Sequence, residues 1–244
     1  MKKPILILSV LAVIAGAVGA IVFRTQYVFL KDTVYKKDVK ELNLNYRGID
    51  VDELNKCSEL EYLRVKGIDD DFLTEMRTFQ HLEHFYASVS DITNKGILKI
   101  NSLPVLNDML ISYSNIDFGK IHNDSVKEIS LYLSEITNIT ELANCRSLTN
   151  LELFRIVMDN KMIVTEGADT LDLKYCLKDS SDFSFLDNIR TLKISDIDIE
   201  DISGFTEMDS LETLTVSPGS ISEENISALE HNGITVITDN KEES

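Results

Sequence analysis

The chain has 244 residues, 43% of them hydrophobic, and a formal net charge of −17. So much negative charge repels nucleic acid and anionic lipid head groups and suits a neutral or basic partner, although solubility alone also accounts for it. The three cysteines are an odd number and cannot all pair within the chain.

From the N-terminus, Pro4 to Phe23 is almost wholly apolar, preceded by Lys2 and Lys3 and closed by Arg24. These 20 residues span roughly 30 Å as a helix, the thickness of a bilayer core. Ala15, Ala17, Val18 and Ala20 suit a signal peptidase, but the apolar run continues past them, which favours an uncleaved anchor over a cleavable signal. Both readings stay open for residues 1–24. The lysine pair favours an inside N-terminus; Arg24, Lys31, Lys36 and Lys37 on the other side weaken that count. The expected location is the cell membrane, single-pass with an extracellular repeat domain, or alternatively the medium. Residues 25–38 read as a stalk or an N-terminal cap.

At Val39 a repeat begins. The pattern Leu-x-x-Leu-x-Leu, with aliphatic stand-ins, starts at Val39, Leu60, Leu82, Leu106, Val126, Leu148, Ala168, Ile189 and Leu211, in steps of 20 to 24 residues. Its fourth and sixth positions repeat as well, from Leu42 and Leu44 to Leu214 and Val216. A tenth, partial unit shows as Ile234 and Val236, 20 residues after the ninth. Alternation over five or six residues marks a strand with one buried face, and a fixed period of this size stacks such strands in parallel around a shared core. Several units continue with apolar residues, as in Ile136, Ile139 and Leu142, or Ile199, Ile202 and Phe205.

These residues resemble the leucine-rich repeat family, in particular the short bacterial, internalin-like class. The resemblance covers residues 39–237 and leaves 238–244 as an acidic tail. It implies an α/β solenoid: a horseshoe with one parallel β-sheet on the concave face, irregular or short helical convex segments, and here an N-terminal hydrophobic helix. At the ninth position, where the family usually places Asn, this chain has Arg47, Ile68, Ser90, Ser114, Ser134, Ile156, Cys176, Ile197 and Gly219. Arg and Ile cannot replace the Asn hydrogen bonds, so local distortion is expected, particularly in units two, three and six.

Chemistry-bearing residues are sparse. Cys57 and Cys145 share a repeat phase four coils apart, roughly 19 Å at the strand spacing, beyond disulfide reach. His81 and His84 fall on a turn and a strand and point differently, which disfavours a metal site. Asp69, Asp70 and Asp71, and the stretch Asp196, Asp198, Glu200 and Asp201, match no calcium motif and read as solvated loops. Glycosylation sequons occur at Asn123, Asn138 and Asn225. No nucleophile, base and oxyanion group share a face, so neither an enzyme nor a cofactor is expected.

The third, fifth and seventh positions of each unit alternate with the core leucines and line the concave face. Large side chains gather there in units two to six: Tyr62, Arg64, His84, Tyr86, Leu110, Tyr132, Glu152 and Phe154. Units seven to nine show mainly Thr, Ser and Lys. Amphipathic side chains on a rigid sheet make an interaction hot spot, so these eight residues are the candidate partner-binding site. The leading expectation is a non-catalytic module that binds a protein partner at the cell surface. A cell-envelope scaffold and a carbohydrate-binding surface protein are the alternatives.

Overall fold

The computed structural model describes residues 25–45, 47–137, 139–156, 170–174, 188–195 and 198–239. The N-terminal apolar segment, Cys176 and the end of the acidic tail lie outside them.

The first described element is an antiparallel hairpin, β1 (Tyr27–Leu30) and β2 (Thr33–Lys36). Its Val28 and Leu30 are fully buried in the same core as the repeats. The Phe29 N–H donates to Glu53 Oε2 at 3.2 Å, which ties the hairpin to the first unit.

Thereafter every unit supplies one strand to a single parallel sheet: β3 (Glu41–Leu44), β4 (Tyr62–Lys66), β5 (His84–Ser88), β6 (Asp108–Ser112), β8 (Glu128–Tyr132), β10 (Asn150–Phe154), β11 (Thr170–Lys174), β12 (Thr191–Ser195), β13 (Thr213–Val216) and β14 (Thr235–Thr238). Two further short strands, β7 (Asn115–Asp117) and β9 (Glu135–Thr137), pair on the convex side. Register follows the leucine columns: Leu42 faces Leu63, then Phe85, Met109, Ile129, Leu151, Leu171, Leu192 and Leu214. The architecture is a leucine-rich repeat solenoid.

The tenth unit departs from the sequence reading. Leu214 pairs with Val236 and Val216 with Thr238, a step of 22 residues instead of 20. A slip of two keeps the same side chains on the same face, so the apolar pattern cannot reveal it. Two residues more than expected are taken up by a nine-residue helix, Glu223–His231, and the turn at Gly233, whose φ of 89° is a left-handed conformation.

The convex arms are short. They include α1 (Val51–Leu54), α2 (Asp70–Glu75), α3 (Asn94–Ile97), α4 (Ser203–Thr206) and α5, the Glu223–His231 helix. Asp50, Asp69, Thr93 and Ser222 cap α1, α2, α3 and α5 by accepting a backbone N–H. The Asp69–Asp71 run is therefore engaged in structure. Asp70 reaches the next coil and accepts from the N–H groups of Thr93 at 2.8 Å and Gly96 at 2.9 Å, while Asp71 pairs with Lys95. A Cβ at Gly96 would lie 2.3 Å from Asp70 Oδ1, so any other residue there displaces the carboxylate that bonds the Thr93 and Gly96 N–H groups.

One buried column, three residues before each first-position leucine, holds Cys57, Phe79, Leu103, Asn123, Cys145 and Met208. Both thiols are reduced, and burial pushes Cys57 up to about 11. Asn123 meets its burial cost by donating to the Ile100 and Leu103 carbonyls and accepting from Ser125 and Val126. Its amide nitrogen is thus closed to glycosylation in the folded chain.

Distortion expected in units two, three and six does not reach the sheet, whose register runs unbroken through them. Three devices stand in for the missing asparagines. Ile68 and Ile156 bury themselves in the core. Backbone bonds close from coil to coil, as in Gly67 N–H to Ser88 O at 2.9 Å, Asp91 N–H to Ile68 O at 2.8 Å and Leu133 N–H to Phe154 O at 2.8 Å. In units three to five the serines form a relay: Ser114 Oγ donates to Ser90 O and accepts from the Ile92 N–H, and Ser134 Oγ accepts from the Ser114 N–H at 3.1 Å.

The bend itself sits at the eighth position, where Gly67, Val89, Tyr113, Leu133 and Arg155 all have φ between 49° and 65°. Only the first is glycine. Ser114→Ala strips partners from the Ser90 carbonyl and the Ile92 N–H, and urea unfolding is expected to show a loss of about 1–3 kcal/mol. Val89 is the only β-branched residue of the five, and it is partly exposed. Val89→Asn is expected to raise stability by about 1 kcal/mol in the same measurement, because Asn tolerates the left-handed region that Val resists.

Candidate functional site on the concave sheet

Alternation places the predicted residues where the repeat phase requires. In β4 and β5 the core side chains Leu63, Val65, Phe85 and Ala87 are fully buried, and the intervening Tyr62, His84 and Tyr86 are half-buried with Arg64 exposed. The same holds for Leu110, Tyr132, Glu152 and Phe154 on β6, β8 and β10.

The eight residues divide into two clusters. At the N-terminal side, Tyr62 meets Tyr86 edge-to-face with ring centroids 5.3 Å apart, and lies 6.1 Å from His84. The Arg64 guanidinium sits 5.5 Å from the centre of the Tyr86 ring, a cation–π distance. His84 Nδ1 bonds Asp108 Oδ2. Burial and a hydrogen bond to the same Asp108 carboxylate push the Tyr86 phenol up to about 12. Asp108 Oδ1 is buried and accepts no hydrogen bond among the described residues.

Two strands further along, Tyr132 stacks on Phe154 at 5.4 Å, and the Arg155 guanidinium lies 5.3 Å from the Phe154 ring centre. Glu152 accepts from Ser130 Oγ at 3.1 Å. Burial, then a hydrogen bond to Glu152, raises the Tyr132 phenol well above its ordinary value. Leu110 joins neither ring cluster; in register it lies between Tyr86 and Ser130 and so forms the floor between them.

Three contributors were not among the predicted eight. Asp108 had a legible signal, since it occupies the same column as His84 one unit on. Ser130 was visible only as a small concave residue. Arg155 had no signal, because the eighth position leaves the strand and only the left-handed turn brings its guanidinium to Phe154. His81 and His84 diverge as expected: His81 approaches Glu59 at 3.9 Å, whereas His84 turns to Asp108.

The fold is similar to that of an internalin from Listeria monocytogenes, at 16% identity over 84% of this chain and 69% of that one, with a TM-score of 0.49. Internalin C2 of the same organism is similar at 16% identity over 70% of this chain and 77% of that one, with a TM-score of 0.43. No family model matches the chain, and no curated protein matches it. Among the described residues no helix is long and apolar enough to cross a membrane.

A Tyr86 phenol held at about 12 against an ordinary 10.0 makes stability depend on alkali. The folded chain keeps a proton the unfolded chain gives up, so this contribution is complete below pH 10 and is lost as pH rises through 12. Denaturant midpoints measured across that window are expected to fall less steeply for Tyr86→Phe than for the native chain. Equal slopes would show that folding does not raise the Tyr86 phenol.

Proposed function

We propose that the protein is a non-catalytic binding module that takes up a protein partner on the concave sheet between Tyr62 and Phe154. The observation that carries this is the pair of aromatic clusters displayed on consecutive strands of one sheet. Rings fixed by their neighbours bury large area with little further loss of rotamer freedom, which is what an interaction hot spot requires. The parallel register supports the same reading, because it holds the clusters at a constant separation of roughly 10 Å, two strand spacings. Binding here acts through shape and contact. We also place the module at the cell surface, tethered by the apolar segment of residues 1–24; the basis is the length and flanks of that segment in the sequence.

A photoreactive side chain placed at Ser130, between the clusters, tests the site. Illumination of the source cells is expected to give one discrete adduct with another protein, and Tyr86→Ala with Phe154→Ala is expected to abolish it without changing the melting temperature. No adduct, or an adduct indifferent to both substitutions, sinks the proposal. An adduct found only with envelope-associated proteins supports the surface placement.

A further inference from the structure

The concave columns of four neighbouring strands each carry a carboxylate: Asp108 on β6, Glu128 on β8, Glu152 on β10 and Asp172 on β11. Two of the pairs stand directly opposite one another, Asp108 with Glu128 and Glu152 with Asp172. Like charges in opposed positions of a ladder destabilise it, so the arrangement works against the fold in the free protein.

Tyr86, on β5 next to the strand of Asp108, stands beside the first pair, whereas Tyr132 lies at the far end of β8 from Glu128. Asp108 also keeps a buried oxygen that no donor of the described chain satisfies. Its other oxygen is taken by His84, and the side chain as a whole retains 14% exposure. Glu128 is exposed beside it. Paired carboxylates beside a tyrosine ring are an environment that an ammonium or guanidinium group prefers, because it offers ion pairing and cation–π attraction together.

Basic groups on this face lie at its flanks. Arg64 is occupied with Tyr86, and Lys193 sits 3.1 Å from Asp239 and 3.9 Å from Asp172. A divalent metal ion is the poorer occupant: among the described residues no three His, Cys, Asp or Glu side chains converge to hold one. A neutral ligand would leave the repulsion between Asp108 and Glu128 in place.

We infer that the concave face selects a basic segment of its protein partner and seats a Lys or Arg side chain beside Tyr86, on the carboxylates of Asp108 and Glu128. This rests on the binding-module reading and specifies its partner chemistry. The net charge of −17 adds long-range attraction for such a segment, and the local geometry supplies the selectivity.

The test is a selection from a library of random linear displayed peptides against the full chain, followed by affinity measurements on the winning peptides. Binders are expected to be enriched in Lys and Arg. Asp108→Asn with Glu128→Gln is expected to weaken them by about tenfold or more, the scale of a lost desolvated charge pair. Glu207→Gln with Glu230→Gln removes the same charge from exposed convex positions and is expected to change affinity by no more than about twofold. Because Asp108 is partly buried, the exposed Glu128→Lys serves as a variant that keeps the fold, and it too should weaken binding. Equal losses in the concave and convex variants would overturn the inference, leaving only attraction to an acidic surface. Binders that depend on Tyr86 and Phe154 but carry no excess of Lys or Arg would overturn it while leaving the binding module standing. If no binder depends on the concave face at all, both readings fall.

Discussion

A coil of about 21 residues cannot bury its own apolar edge, and from that constraint the rest of the molecule follows. Leu63 is fully buried only because Leu42 and Phe85 stand on either side of it, one strand spacing away in each direction. Each unit thus supplies half of its neighbour's core. Stability of such a chain is a sum over neighbouring interfaces, and a defect in one coil is felt chiefly by the two beside it. The ends are special for the same reason. At the first unit the hairpin supplies Val28 and Leu30, and at the last the Glu223–His231 helix supplies Leu229, all three fully buried.

The same stacking solves the polar problem at the bend. A turning backbone exposes N–H and C=O groups toward the interior, where leaving them unpaired is costly. Here the next coil provides the partners, either directly from its backbone or through Ser90, Ser114 and Ser134. The left-handed residue at the eighth position is what aims those groups along the solenoid axis. Non-glycine side chains at Val89, Tyr113, Leu133 and Arg155 each carry some local strain, and it persists because the flanking strand and the coil-to-coil bonds over-determine the turn. Position nine therefore tolerates Ile, Ser or Arg: the bend depends on backbone pairing between coils more than on one side chain.

Most of the fold was legible because its two periods, two residues along the strand and about 21 along the chain, are written in side chains that must be apolar. What escaped was whatever those periods leave unchanged. The two-residue slip at β14 is invisible to alternation. The coil-to-coil bonds are made by backbone, which has no sequence. The carboxylate of Asp70 looks like part of any acidic loop until the next helix N-terminus is placed beside it. For the concave site, column assignment placed the eight residues correctly on the face. It could not say that Asp108 would join His84 and Tyr86, because side-chain direction within a column depends on the neighbouring units' choices.

The concave face then inherits both the rigidity and the tension of the sheet. Register fixes Tyr86 and Tyr132 two strands apart, so neither can move toward the other without breaking the ladder. It also holds Asp108 opposite Glu128, though separation would suit both better. In a flexible surface, repelling carboxylates would swing apart into water and their cost would vanish. On this sheet Asp108 is pinned by His84 and by packing, so only the exposed Glu128 can turn to water, and an arriving cation still finds Asp108 in place. A rigid scaffold thereby turns an unfavourable local pairing into a preference for a ligand of opposite charge, at little additional ordering cost on the protein's side.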